Sequence, residues 1–151
     1  KRILVIGAGG AVRGILQPFL EQDPGHIVIV NRTFEKAQLL ADNFKDFGSI
    51  EAKEFEALTE SFDVIINGTS TGLSGGLPAL PDSVALAEGC VCYDMAYGGA
   101  AAPFLAWSAS QGARDARDGL GMLVEQAAES YFLWLGEYPD TQTVLSSLRA
   151  V

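Results

Sequence analysis

Five short segments of this chain have strand character, and most are apolar throughout, without the in–out alternation of a strand exposed on one face. They are residues 2–6, 27–31, 49–52, 63–67 and 90–95. Between them the apolar residues fall at helical spacing. Ile15, Leu16, Phe19 and Leu20 share one helix face, and Phe34, Ala37, Leu40, Ala41 and Phe44 share another. Strands that are apolar on both sides and separated by amphipathic helices require a parallel sheet covered above and below. The expected fold is therefore α/β, a Rossmann-like doubly wound parallel sheet with right-handed crossovers. At 151 residues there is enough chain for one such core.

The first strand runs directly into Gly7-Ala8-Gly9-Gly10-Ala11-Val12-Arg13-Gly14, which opens the first helix. A glycine-rich loop in that context is a candidate dinucleotide site. Gly7 permits the tight turn, Gly9 lets the backbone approach a pyrophosphate, and Gly10 and Ala11 begin a helix whose free N–H groups favour an anion. Val12 stands where the usual third glycine would be, so close helix–strand contact is expected at Gly14 instead. Seventeen residues beyond Gly14, the second strand ends in Asn31-Arg32-Thr33. Folds that bind NAD place a carboxylate at that point, on the ribose 2′-hydroxyl. A carboxylate there would repel a 2′-phosphate, whereas Arg32 can pair with one through its planar fork. Lys36 lies one turn into the next helix, and Thr33 is placed to cap that helix. Glu35 is expected to point away from Lys36. The cofactor inferred is NADP(H).

The formal charge of −9 excludes a basic nucleic-acid face, and no apolar run is long enough to span a bilayer. Cys90 and Cys92 are the only cysteines. They are expected on opposite faces of a strand, unpaired and inert, as in a reducing cytoplasm, and with a single His they are too few for a metal site. The loop 68–82 is rich in Gly, Pro, Ser and Thr and follows a strand, at the sheet end where open α/β folds bind ligands. Residues 119–135 form an expected helix that is apolar over most of its circumference. With residues 140–151 it is expected to pack partly on a domain outside this chain. The chain divides accordingly into residues 1–119, a nucleotide-binding domain, and residues 120–151, C-terminal helices. Its start, already a core strand at Lys1 to Ile6, fits a piece of a longer polypeptide.

The blocks GAGGAxRG (residues 7–14), NRTxxK (31–36), N-x-T-S-x-G (67–72), YDMxY (93–97) and DGLGMLVxQAA (118–128) occur in the order found in the shikimate dehydrogenase family, which this chain resembles over nearly its whole length. That resemblance implies reversible NADPH-dependent reduction of 3-dehydroshikimate to shikimate in aromatic amino-acid biosynthesis. It implies cofactor contacts at Gly7, Ala8, Gly9, Gly10, Ala11, Asn31, Arg32, Thr33, Phe34, Glu35, Lys36, Thr69, Met95 and Gly119. Met95 and Gly119 would border the nicotinamide and Thr69 the crevice, while Tyr97 and Gln126 would reach the substrate. Gly68, Ala102 and Val12 depart from the family's common residues. In the family a lysine–aspartate pair from an N-terminal domain supplies the proton, so no catalytic residue is assigned here. His26, Lys45 and Lys53 read as surface or solvated positions. The chain alone is expected to bind cofactor without turnover. Homodimerisation stays open, as does a non-catalytic NADP sensor, a quinate/shikimate relative or a glutamyl-tRNA-reductase-like protein.

Overall fold

The computed structural model describes residues 1–74, 76–78, 80 and 84–150. Strands β1 (Arg2–Ile6), β2 (His26–Val30), β3 (Ile50–Lys53), β4 (Ser61–Asn67), β5 (Ala85–Asp94) and β6 (Asp115–Arg117) form one sheet. Its order is β3-β2-β1-β4-β5-β6, and every pairing is parallel. Helices α1 (Gly10–Leu20), α2 (Phe34–Phe44), α3 (Ala102–Ser110), α4 (Leu120–Leu135) and α5 (Thr141–Arg149) complete the fold. The expected doubly wound sheet is thus observed.

The missing alternation in the strands has its reason in the core. Leu4, Ile6, Val28 and Val30 face one apolar layer, which Phe104 of α3 closes. Val5, Ile27 and Ile29 face the other, under Val12, Leu16 and Leu20 of α1 and Ala37, Leu40 and Phe44 of α2. β1 and β2 are therefore greasy on both sides because both sides are covered.

Two expectations need correction, and the start of β2 moves by one residue. Cys90 and Cys92 do not lie on opposite faces. Residues two apart on a strand share a face, and both thiols are buried in the same layer as free cysteines. Burial pushes the Cys90 thiol up to about 12, with the neighbouring Cys92 adding to it. Lys53 is not a solvated loop residue. It ends β3 and pairs with Glu60 at 2.6 Å and Glu51 at 3.3 Å. His26 belongs to β2 itself, and its ring bonds Ser49 and Glu51 at the strand's N-terminal end. The strand β6 was not anticipated: Asp-Ala-Arg carries no apolar run, and it is a strand only because β5 offers an edge.

α4 buries only Val124 and Ala128. Leu133, Trp134 and Leu135 are 78%, 80% and 63% exposed, so this is not a helix enclosed by its own domain. No helix among the described residues is long and apolar enough to cross a membrane.

Candidate cofactor site

The sheet reverses its winding between β1 and β4, and loops leaving the carboxyl ends of adjacent strands part there to leave a crevice. On the β1 side Gly7 takes φ +109°, a left-handed conformation that favours glycine, and its N–H donates to the Val30 carbonyl at 2.7 Å. A side chain there would also meet the Gly68 carbonyl oxygen at 2.9 Å. Gly9 caps α1 with extended backbone and no side-chain cap. A Cβ at Gly9 or Gly10 would find no atom within 4 Å, so the first turn of α1 presents open backbone that an anion can approach.

Beside it β2 ends and the exposed Arg32, Thr33, Glu35 and Lys36 follow, with Phe34 half-buried and Asn31 donating its amide to the Thr33 carbonyl at 2.8 Å. Lys36 lines a cavity of about 180 Å³ together with Ala8, Gly9, Gly10 and Arg13, so the structure brings the glycine loop and this cation to one place. Arg13, which sequence reasoning passed over, is a second cation on that wall. Thr33 occupies the N-cap of α2, but its side chain makes no capping hydrogen bond, contrary to expectation. A larger open groove of about 600 Å³ runs down the outer side of α1 past Gln17 and Glu21 to Phe44. It touches no strand end, and we assign the site to the smaller cavity and the crevice.

Gly14 does not make the close contact expected of it, since a Cβ there would meet nothing. The tight packing is made instead by Val12, fully buried, against Gly68. A Cβ on Gly68 would collide with the Val12 methyl Cγ2 and stand 3.1 Å from the Met95 sulfur. Gly119 is equally constrained, because a Cβ there would collide with the Met95 carbonyl, while its N–H donates to Ala96 O at 2.7 Å. Met95 and Gly119 are therefore in backbone contact.

Beneath these loops lies a polar network that the sequence did not single out. Asn67 and Asp94 end β4 and β5 and are 2% and 1% exposed. Asn67 donates its amide to Asp94 Oδ2 at 2.9 Å, and Ala96 N–H donates to Oδ1 at 2.8 Å. The Asn67 side-chain oxygen accepts from Thr69 N and from Thr69 Oγ1, and that hydroxyl in turn meets Thr71 Oγ1 at 2.7 Å. Burial raises the Asp94 carboxyl above its ordinary range, and the charge of Asp118 adds to this, against the two donors. Asp118 behaves oppositely. Burial would raise it, but Arg149 at 2.7 Å and the N–H groups of Gly98 and Leu120 outweigh that and lower it. Tyr97, half exposed, follows β5 at the rim, and Gln126 is exposed on α4. Ala102 is exposed at the start of α3. Part of loop 68–82 lies outside the described residues. No group of three or more His, Cys, Asp or Glu side chains among the described residues is arranged to hold a metal ion.

Two family models match the chain: shikimate / quinate 5-dehydrogenase over residues 1–74, and shikimate 5′-dehydrogenase C-terminal domain over residues 119–149. A shikimate dehydrogenase (NADP(+)) of Alkalilimnicola ehrlichii is 53% identical over 149 residues, 99% of this chain and 55% of the relative. The crystal structure of an Ael1 enzyme from Pseudomonas putida superposes with a TM-score of 0.85 at 43% identity, over 97% of this chain and 54% of that one. Shikimate 5-dehydrogenase from Thermus thermophilus, solved in complex with NADP(H) and shikimate, superposes with a TM-score of 0.76 at 27% identity, over 98% and 54%. The chain spans about half the length of the curated relatives it matches.

Proposed function

This chain belongs to the shikimate dehydrogenase family, and on that premise we propose that it is the NADP(H)-binding part of an enzyme that reduces 3-dehydroshikimate to shikimate. The observation that carries this is the meeting of the glycine loop with Lys36 on one cavity wall, beside a β2 strand that is followed by Arg32 rather than by a carboxylate. The residues fit the group. Open backbone at Gly9 and Gly10 suits a pyrophosphate, and Arg32 and Lys36 suit a further phosphate on the adjacent ribose. Thr69 lines the crevice, and Met95 and Gly119 form the wall against which the nicotinamide lies.

When bound, NADPH supplies the hydride. The chain's own residues position it: the Asn67–Asp94 pair holds the loops after β4 and β5 in register, and Gly119 allows the start of α4 to close on Met95. Tyr97 and Gln126 are offered to the substrate's hydroxyls or carboxylate. The proton donor for the carbonyl comes from a second domain that packs on the exposed side of α4, and turnover requires that domain. A second copy of this chain is the competing occupant of that face. The buried reduced thiols suit the cytoplasm.

Titration of the protein with NADPH and NADH separately tests the assignment. NADPH should bind far more tightly, in a salt-sensitive way, and Arg32→Asp should weaken it roughly 10- to 100-fold with little effect on NADH. Equal affinities for the two cofactors would remove the 2′-phosphate from the account.

A further inference from the structure

Two carboxylates flank the Met95–Gly119 contact, and they differ in one respect. Asp118 precedes Gly119 and is paired with the Arg149 guanidinium at 2.7 Å. Asp94 precedes Met95, is 1% exposed, and among the described residues has no cation within ion-pair distance. Both its oxygens accept hydrogen bonds from neutral donors, Ala96 N–H and the Asn67 amide. The Asn67 amide cannot turn round, because its oxygen is held by two bonds from Thr69. With a donor on each oxygen and no acceptor to take a carboxyl proton, the hydrogen bonds favour the ionised form, against the burial that raises the carboxyl above its ordinary range. In that form Asp94 is a fixed negative charge in a poorly hydrated place, where its field reaches further than it would through water.

Resting on the functional assignment above, which puts the nicotinamide against Met95 and Gly119, we propose that Asp94 is a specificity-determining residue for the oxidation state of the cofactor. The nicotinamide ring is cationic when oxidised and neutral when reduced, while the remainder of the two cofactor forms is the same. The uncompensated Asp94 charge favours the cationic ring and leaves the neutral one unaffected, so it shifts the ratio of the two dissociation constants toward the oxidised form. Arg149 opposes this from the other side by neutralising Asp118. The shared phosphates, adenosine and backbone contacts cancel in the ratio.

Calorimetric titration with NADP+ and NADPH in separate experiments reads that ratio directly, without turnover. In Asp94→Asn the ratio Kd(NADP+)/Kd(NADPH) is expected to rise several-fold, up to about tenfold. Arg149→Gln, a change at an exposed side chain, leaves Asp118 unpaired and is expected to lower the ratio, by a smaller factor. Loosening of the loops in either variant weakens both cofactor forms together and leaves the ratio where it was. If the ratio stays within about twofold of the unaltered protein in both variants, or moves the same way in both, the proposal is overturned. Failure of the unaltered protein to bind either nucleotide would instead overturn the functional assignment, and this inference with it.

Discussion

Val12 and Gly68 form a single packing arrangement. Val12 fills the space under the glycine loop completely, and the methyl group it adds occupies the volume that a Cβ at residue 68 would need. Gly68 does not adopt a left-handed backbone, so its lack of a side chain serves packing and not conformation. Gly68→Ala should therefore cost about 1–3 kcal/mol through overpacking against Val12 and Met95. In a Val12→Ala background the same change should cost much less, with a coupling of about 0.5–3 kcal/mol in a double-mutant cycle from urea unfolding. Strict additivity of the two changes would show that the methyl groups do not compete. The same steric logic makes Gly119 intolerant of any side chain, because the obstruction there is the Met95 backbone and cannot rotate away.

At the scale of elements, residues that neighbour one another along the chain foretold the structure, and partners brought together by tertiary packing did not. Four of the five anticipated strands, the first two helices and the glycine-loop context are local patterns, and the observed boundaries differ by a residue or two. The fifth, β5, begins at Ala85, well before the apolar run that marks it. The Asn67–Asp94 pair is separated by 27 residues and the Asp118–Arg149 pair by 31, and no spacing rule announces either. The ion cluster on β3 was invisible for the same reason. There, burial alone would raise Glu60, yet the Lys53 ammonium and the N–H groups of Thr59 and Glu60 bring it down to about 2. A carboxylate held below its ordinary value takes up protons more readily when unfolded, so its contribution is fully present above about pH 4.5 and is lost as pH falls toward 2. Lys53→Met should cost about 1–2 kcal/mol at neutral pH, discounted for the solvent that reaches the cluster. It should also flatten the acid limb of the stability curve, since Glu60 would then have little depression left to lose. Parallel acid limbs in urea titrations of the two proteins would mean that Glu60 is not held by Lys53.

The whole molecule is lopsided. Its sheet carries an apolar layer on each face, while the C-terminal helices and the loop between them turn a row of large apolar side chains to solvent, among them Leu133, Trp134, Leu135, Tyr138 and Leu148. Inside this chain α4 is held by Val124 and Ala128, by contact with α5, and by the Tyr138 hydroxyl, which bonds both Glu129 oxygens while its ring stacks on Phe132 at 4.4 Å. Burying such a row elsewhere would be worth about 1.5–3 kcal/mol for each large side chain fully covered. That gives Leu133 and Trp134 a property their neighbours lack. In this chain alone they pack on almost nothing, so Leu133→Ser with Trp134→Ser should leave the urea midpoint nearly unchanged, within about 0.5 kcal/mol. In a longer polypeptide carrying the proposed second domain, the same pair should cost several kcal/mol, on the order of a large-to-small change in a core. Tryptophan emission reports the same difference, because Trp134 is solvated in the first setting and enclosed in the second. If the double variant were equally harmless in both proteins, α4 would not be the seam between the domains, and the second domain would have to dock elsewhere.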